Sequence, residues 1–325
     1  MSEFLTLLFA DDTTLLFSHD DLNVLINIVN TEFKKVCEFF RTNRLVLHTV
    51  HPDKTKFIIF SRQKITQNVI VVCDNNNEGQ NTAENIYNLS QVDVNHPTPA
   101  IKFLGVFFDP ELNFKFHISS LRKKLSKSLY ALRTVKNTLN QNSLFLLYNS
   151  IFHCHLLYAV HIWSCSSSGP INDIFKLQKS AIRIISGSSY NSHTEPLFKK
   201  LEILPLPDLI SYSKLQFMQR FIQKKLPEAF NEIWVYNSIR NIGENEIQLR
   251  NHLQIQQQHS HLVKLDIFPL YNFPKIWESF PDHQIKILRK NSEFDKKLKE
   301  YFINDLSDTV DCGQLLCPTC MAGRN

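Results

Sequence analysis

The chain has 325 residues, of which 43% are hydrophobic and 21% charged, with a formal net charge of +5. This composition is typical of a globular protein with two or three compact units, and it excludes a largely disordered chain. Because only 7 glycines are present, a glycine-rich phosphate-binding loop is excluded; neither a P-loop nor a dinucleotide-binding fingerprint occurs. The mild basic excess is compatible with nucleic-acid binding but does not indicate it alone.

An acidic pair, Asp11 and Asp12, lies between two apolar runs at residues 4–9 and 13–17. Both runs are short and rich in Leu, Phe and Thr, which predicts a β-hairpin with two carboxylates at its tip. Two like charges on a rigid turn repel one another unless a cation binds, so the pair is a candidate Mg²⁺ site. The alternative is an ordinary solvated acidic turn.

The segment after the hairpin predicts a helix packed on strands. Apolar residues recur at steps of three and four over residues 20–41, and Ser18 with Asp21 resembles a capping box at the helix start. One apolar face predicts packing on the sheet that carries the hairpin, which gives an α+β arrangement. Strands are predicted at 56–60, 69–73 and 101–109, and the polar, Asn-rich residues 74–98 predict a loop.

A second helix is predicted over residues 118–139, followed by an all-α region. Its leucines form one stripe, and several basic side chains lie off that stripe. The candidates for contact with nucleic-acid phosphates are Arg122, Lys123, Lys124 and Lys127, and a solvated charged face is the alternative. Further helices are predicted at 143–163 and 171–186, the latter ending at Gly187 as its C-cap.

Residues 144–163 approach membrane-spanning length but include three histidines, Asn149 and Ser150. These groups would be costly in lipid, so we expect a buried helix and no membrane contact. The spacing of His153, His155 and His161 does not place them on one helical face, which favours packing over a metal site.

The cysteines indicate an intracellular protein. Seven are spread irregularly, and the first residues lack the basic region of a signal peptide; free thiols in a reducing compartment, nuclear or cytoplasmic, are expected. Cys312, Cys317 and Cys320 have part of a zinc-ligand spacing. No fourth ligand follows them, so a thiol-bearing tail is expected in preference to a zinc site.

Several segments together resemble the reverse transcriptases of non-LTR retrotransposons (LINE, jockey-like or CR1-like). FADDTTLLFS is similar to the FADD motif of these enzymes, and NRLVL followed by KTKFIIF is similar to the block after it. KFLGVFFDPELNFKFHI resembles their primer-grip hairpin. Similar segments continue through LYNSIFHCHLLYAVHIW and LQKSAIRIISG to FDKKLKEYFIND near the C-terminus.

The resemblance implies a partial polymerase palm at residues 1–118, an α-helical thumb and post-thumb region at 119–226, and a helical or irregular C-terminal region at 227–325. An RNA template–DNA primer duplex is the implied partner. Mg²⁺ is the implied cofactor, held by Asp11 and Asp12 beside strand 101–108, in two-metal nucleotidyl transfer.

The resemblance also implies further site residues. Lys54 or Lys56 would lie near the incoming triphosphate, with a solvated strand entry as the alternative. Phe103, Leu104 and Gly105 would form the primer grip, and a β-hairpin with a bulge at Gly105 is the alternative.

Two features of the family have no counterpart in these 325 residues: the earlier palm strand with a third metal-binding Asp, and the fingers. We therefore expect a fragment that is inactive by itself, binds Mg²⁺ weakly and would need a missing N-terminal palm and fingers portion as partner. The alternatives are a non-catalytic nucleic-acid-binding remnant and a domesticated or spurious transposon-derived protein.

Overall fold

A computed structural model describes residues 4–45, 47, 54–61, 69, 71–74, 86–92, 99–230, 233–234, 240–242, 245–247 and 268–306. The chain divides into two compact units, Met1–Leu112 and Asn113–Asn325. Strands and a helix occur together in the first unit and helices dominate the second, which confirms mixed α+β structure. The assignment of palm, thumb and C-terminal regions stays a prediction.

The first unit has short strands and one long helix in its described residues. The strands are β1 (Leu5–Phe9), β2 (Asp12–Leu16), β3 (Lys56–Phe57), β4 (Val72–Asp74), β5 (Ile86–Asn88), β6 (Ser90–Gln91), β7 (Ile101–Phe103) and β8 (Val106–Phe108), and the helix is α1 (Leu22–Thr42).

The predicted acidic hairpin is confirmed. β1 and β2 pair antiparallel from Leu5↔Leu16 to Phe9↔Asp12, which leaves Ala10 and Asp11 as a two-residue loop. Ala10 has a φ of +53°, the positive value that the first central residue of a primed hairpin turn adopts. The turn therefore places the two acidic residues at the tip of the hairpin.

Helix α1 is confirmed, but its cap differs from the prediction. Asp21, and not Ser18, is the N-cap: its carboxylate accepts hydrogen bonds from the backbone N–H groups of Asn23 and Val24 at 2.8 and 3.0 Å. A carboxylate at this position satisfies N–H groups that have no partner within the helix.

The apolar face of α1 packs on the strands, as predicted. Phe33 and Cys37 form a small core with Val71. The partly buried residues around this core come from β2, β3, the helix itself and two connecting segments, and they are Leu15, Val29, Val36, Leu47, Phe57 and Leu89. The hairpin is thus attached to α1 through Leu15.

The prediction of a continuous loop over 74–98 is wrong in part, because β5 and β6 lie within it. β5 pairs antiparallel with β4, and β6 pairs in parallel with β3. Burial of Leu89 against the α1 core explains why a polar segment becomes extended here.

The run 101–109 is a hairpin and not one strand. β7 and β8 pair around Leu104 and Gly105, which have φ values of +44° and +87°. Positive φ at both central residues is the pattern of a type I′ turn. Gly105 is therefore part of a tight turn and not of a bulge.

The second unit is largely helical. Its described elements are α2 (Lys115–Val135), α3 (Gln141–Tyr148), a π-helical segment (Asn149–His153), α4 (Cys154–Leu157), α5 (Val160–Trp163), α6 (Ser168–Ser186), α7 (Glu195–Lys200), α8 (Leu206–Ile222), a 3₁₀ turn (Glu228–Phe230), β9 (Arg240–Ile242), β10 (Asn245–Ile247), α9 (Pro269–Ser279), α10 (His283–Lys286) and α11 (Asn291–Asn304).

The predicted leucine stripe of α2 is buried against α6 and α3. Leu125 and Leu132 have no exposed surface. The helix ends at Val135 and not at residue 139, and Leu139 is exposed. Ser128 donates a hydrogen bond of 2.6 Å to the Ile151 carbonyl, which ties α2 to the π-helical segment.

The apolar stretch 143–163 is broken and not one helix. A π-helical segment follows α3, and the chain leaves helical geometry at Tyr158 and at Ala159, whose φ is +50°. In the described residues, no helix is long and apolar enough to span a membrane.

A buried glutamine joins three segments of this unit. Gln178 of α6 has no exposed surface. Its amide donates to the Leu204 carbonyl at 3.0 Å, and its Oε1 accepts from the Leu206 N–H at 2.8 Å. A buried amide is costly unless it is hydrogen-bonded, so these bonds fix the start of α8 relative to α6.

The histidines of the broken stretch pack against aromatic rings. The His153 ring lies 5.6 Å from the Tyr148 ring. Burial and, to a smaller extent, the charge of Lys299 lower the pKa of His153 to about 4. His161 packs on Phe217 at 5.5 Å. In the described part of the chain no three His, Cys, Asp or Glu side chains cluster as a metal would require.

A second core lies between α8, α9 and α11. Trp277 and Phe294 are both buried, with ring centroids 6.2 Å apart. Trp234 donates a 2.9 Å hydrogen bond to the Leu270 carbonyl. Residues 252–261, a Gln- and His-rich run that predicts an exposed loop or helix end, lie outside the described residues, as do the three C-terminal cysteines.

Gly187→Ala should destabilise the protein by about 1 kcal/mol, because Gly187 ends α6 with a φ of +68° that an L-residue adopts at a cost. Gly169→Ala, in the first turn of the same helix, is the matched control and should be neutral or stabilising by about 0.5 kcal/mol. Neither added Cβ would meet an atom within 4 Å. Urea unfolding measures both effects, and equal changes would contradict the assignment.

Acid should destabilise the protein through His153. Its folded pKa of about 4 lies below the unfolded value of 6.5, so the unfolded chain binds more protons between these pH values. The free energy of unfolding therefore falls as the pH decreases from 6.5 to 4, by up to about 3 kcal/mol from this residue. Urea unfolding of a His153→Gln variant should show a shallower pH dependence, and an unchanged slope would contradict the prediction.

Candidate nucleic-acid interface and acidic hairpin

Asp11 and Asp12 occupy two different positions on the hairpin. Asp11 is in the two-residue loop, and Asp12 is the first residue of β2, opposite Phe9. Both residues are exposed. Since side chains alternate along a strand, Asp12 shares a face with Leu16, while Leu15 on the other face packs toward α1. The Asp12 side chain is therefore directed away from the helix.

The hairpin has little cover in the described part of the chain. Its exposed apolar residues are Leu5, Leu8, Phe9 and Leu16. β1 and β2 pair only with each other among the described strands, so their outer backbone groups face no further strand. Because its apolar residues are exposed and its strand edges pair with no other described strand, the hairpin leaves room for additional strands beside the acidic tip.

The acidic pair by itself is an incomplete metal site. Two adjacent carboxylates supply the oxygen ligands that Mg²⁺ prefers. The described residues bring no third His, Cys, Asp or Glu into a cluster with them. Asp109, which follows β8, is buried. The residues present therefore fit part of a divalent-ion site.

The other predicted palm residues lie on separate small sheets. Lys54 is exposed before β3, and Lys56 is half-buried in β3, opposite Ser90. Phe103 is the last residue of β7, and Leu104 and Gly105 form the following turn. We expected the acidic tip to lie beside strand 101–108. Among the described strands, β1–β2 and β7–β8 are separate two-stranded sheets, so strand pairing does not join the two.

Helix α2 has one basic, solvent-facing side, which we call the α2 basic face. The helix contains six Lys or Arg residues and no Asp or Glu. Because its leucine side is buried, the charged side chains must point to solvent. The exposed members of the face are Lys123, Lys124, Lys127 and Arg133, with Arg122 at one edge.

The residues of the α2 basic face differ in what surrounds them. Arg122 lies 3.8 Å from the Asp173 carboxylate of α6, an exposed pair worth little energy. Within the described part of the chain, Lys123, Lys124 and Lys127 have no carboxylate oxygen within 4 Å of Nζ. These three lysines are therefore available to an anionic partner.

A buried histidine lies in the first turn of this helix. His117 is 6.3 Å from the Trp163 ring. Burial and, to a smaller extent, the charge of Lys124 together lower its pKa to about 4. His117 is thus neutral near pH 7 and adds no charge to the interface.

Tyr130 is the residue that the sequence analysis missed. It lies on the α2 basic face, three residues after Lys127, and 73% of its surface is exposed. For this helix, the sequence pointed only to basic residues as nucleic-acid contacts. Tyr130 follows Lys123 by seven residues and Lys127 by three, and residues at these spacings lie on the same face of a helix.

Part of the chain is similar to curated polymerases of mobile elements. It is 26% identical over 125 residues to "RNA-directed DNA polymerase from mobile element jockey" of Drosophila melanogaster and 28% identical over 127 residues to that of Drosophila funebris. It is 24% identical over 148 residues to "Probable RNA-directed DNA polymerase from transposon X-element" of Drosophila melanogaster.

These similarities cover 37, 38 and 44% of this chain, and 14, 14 and 16% of the respective relatives. The chain therefore spans about one-seventh of the length of the curated relatives it matches. No family model matches the chain, and no solved structure matches it. The resemblance to the RNA-directed DNA polymerases of jockey-like non-LTR retrotransposons is confirmed by these relatives.

Proposed function

We propose that this chain is part of an RNA-directed DNA polymerase of a non-LTR retrotransposon. The observation that carries the proposal is the hairpin whose two-residue turn presents Asp11 and Asp12 to solvent. An acidic pair at a hairpin tip is the element that the family motif FADD predicts, and the related proteins are named as polymerases of this kind.

Asp11 and Asp12 would hold divalent metal at this site. When bound, Mg²⁺ supplies activation of a primer 3′-hydroxyl and stabilisation of the leaving pyrophosphate. The carboxylates orient the ion and offset its charge. Lys54 or Lys56 would contact the incoming triphosphate, and Phe103, Leu104 and Gly105 would position the primer end.

The 325-residue polypeptide should be inactive alone. Two-metal transfer requires carboxylates from more than one strand to fix both ions. Two adjacent aspartates on one hairpin provide only part of that ligand set, and the exposed sides of the hairpin leave room for strands from another polypeptide segment. A palm and fingers portion is the partner we propose.

The α2 basic face would bind the RNA template–DNA primer. Lysines without a carboxylate partner exchange bound counterions for phosphates, which favours binding and makes it depend on salt. Since the leucines on the opposite side fix the orientation of α2, the lysine positions are set before nucleic acid binds. The charges would position the nucleic acid without reading its sequence.

Primer extension tests the proposal of inactivity. The purified chain, supplied with poly(rA)/oligo(dT), dTTP and Mg²⁺, should give no product above that of its Asp11→Asn variant, because the metal ligand set is partial. Robust synthesis that Asp11→Asn abolishes would contradict inactivity and assign the chain a complete catalytic site.

Salt-dependent binding tests the α2 basic face. A Lys123→Ala/Lys127→Ala variant should reduce the slope of log K against log salt concentration by about 2 on a duplex, one for each lost phosphate contact. The matched control is Lys296→Ala/Lys297→Ala on α11, where the lysines already lie 3.9 and 3.7 Å from glutamates. Equal slopes for both variants, measured by fluorescence anisotropy, would contradict the assignment.

A non-catalytic nucleic-acid-binding protein is the second candidate function. The α2 basic face favours it, because binding there needs no metal. In that case Asp11→Asn would leave binding unchanged, and no polymerase activity would appear when a palm and fingers segment is added. Restored synthesis on such addition would favour the polymerase function.

A further inference from the structure

Tyr130 is an aromatic residue on the solvent-facing side of a helix. Large aromatic residues such as Trp163 and Phe294 are fully buried. Tyr130, by contrast, is 73% exposed in the middle of a long, regular helix. A helix position of this kind usually has a polar side chain.

The surroundings of Tyr130 are cationic and sterically open. Lys127 and Arg133 lie three residues before and after it, and both are exposed. The residues one turn away along the axis are Ser126 and Thr134, whose small side chains leave space over the ring. In the described part of the chain, no aromatic ring or cation is placed against Tyr130.

We infer that Tyr130 stacks on an unpaired nucleic-acid base while the neighbouring lysines of the α2 basic face bind the adjoining phosphates. Aromatic rings in a positively charged track are the arrangement by which proteins bind single strands without sequence preference. The residues from Lys123 to Thr134 extend over about 16 Å at 1.5 Å per residue, enough for a few nucleotides.

This inference rests on the proposed nucleic-acid binding and refines its substrate class. Bases within a duplex are covered on both faces by their neighbours, so a surface tyrosine has no base face to stack on there. The phosphate charges, in contrast, are present in both forms. The ring thus distinguishes an unpaired strand from a duplex, whereas the lysines do not.

Fluorescence anisotropy of the full chain with labelled oligo(dT) and with a blunt DNA duplex of equal length tests the inference. Tyr130→Ala should weaken oligo(dT) binding by about 5- to 100-fold, the range for one stacked base, and leave duplex binding and the salt slope unchanged. Tyr130→Phe should retain binding, because it keeps the ring. Tyr190→Ala is the matched control, since Tyr190 is 79% exposed but lies outside α2.

Two results would overturn the inference, and they are distinguishable. If the parent chain binds oligo(dT) and Tyr130→Ala binds it equally well, or loses oligo(dT) and duplex affinity to the same extent, stacking is wrong while charge-based binding remains. If the parent chain binds neither probe in a salt-dependent way, the proposed nucleic-acid binding fails and the stacking role fails with it. Circular dichroism of each variant confirms that the helix content is retained.

Discussion

Burial of the leucine side of α2 is the constraint on which the helical unit depends. Leu125 and Leu132 are removed from water against α6 and α3, and each fully buried leucine contributes roughly 2 kcal/mol. Since a helix has only one rotational setting that buries this stripe, the same packing directs the lysines to solvent. The electrostatic surface is therefore a consequence of core formation, and it needs no binding partner to form.

Polar contacts add specificity to this apolar packing. Gln178 is bonded to the backbone at Leu204 and Leu206, and Ser128 is bonded to the Ile151 carbonyl. Each of these groups would be left unsatisfied if a helix rotated or slid along its neighbour, which would cost more than the bond contributes. The placement of α8 relative to α6, and of α2 relative to the π-helical segment, is thus specified by few bonds.

Local signals in the sequence predicted those elements that local interactions determine. The helix α1 follows from the periodicity of its apolar residues, the acidic hairpin from two short apolar runs that flank an acidic pair, and the Gly187 cap from backbone freedom. The strand predicted at 101–109 ran through the turn at Leu104 because the apolar run is continuous there, although the family resemblance implied a hairpin. The break at Ala159 was missed because alanine favours helix. Both depend on packing beyond the segment itself.

The candidate site was predictable only in its composition. The FADD segment identified Asp11 and Asp12, and the run of basic residues identified the lysines of α2. Where these residues lie, and that Arg122 is paired with Asp173, depends on helix rotation and on neighbours distant in sequence. Tyr130 could not be predicted for the same reason, since the identity of a tyrosine in the sequence does not show whether its side chain is exposed or buried.

The uncovered apolar hairpin of the first unit has a consequence for the life of the polypeptide. Leu5, Phe9 and Leu16 lie in water beside strand edges that pair with no other described strand. Surfaces of this kind invite edge-to-edge aggregation, and cellular chaperones and proteases act on chains that expose them. Steady-state abundance would then be governed by how soon another polypeptide covers the hairpin after synthesis, which makes association a condition for survival of the chain.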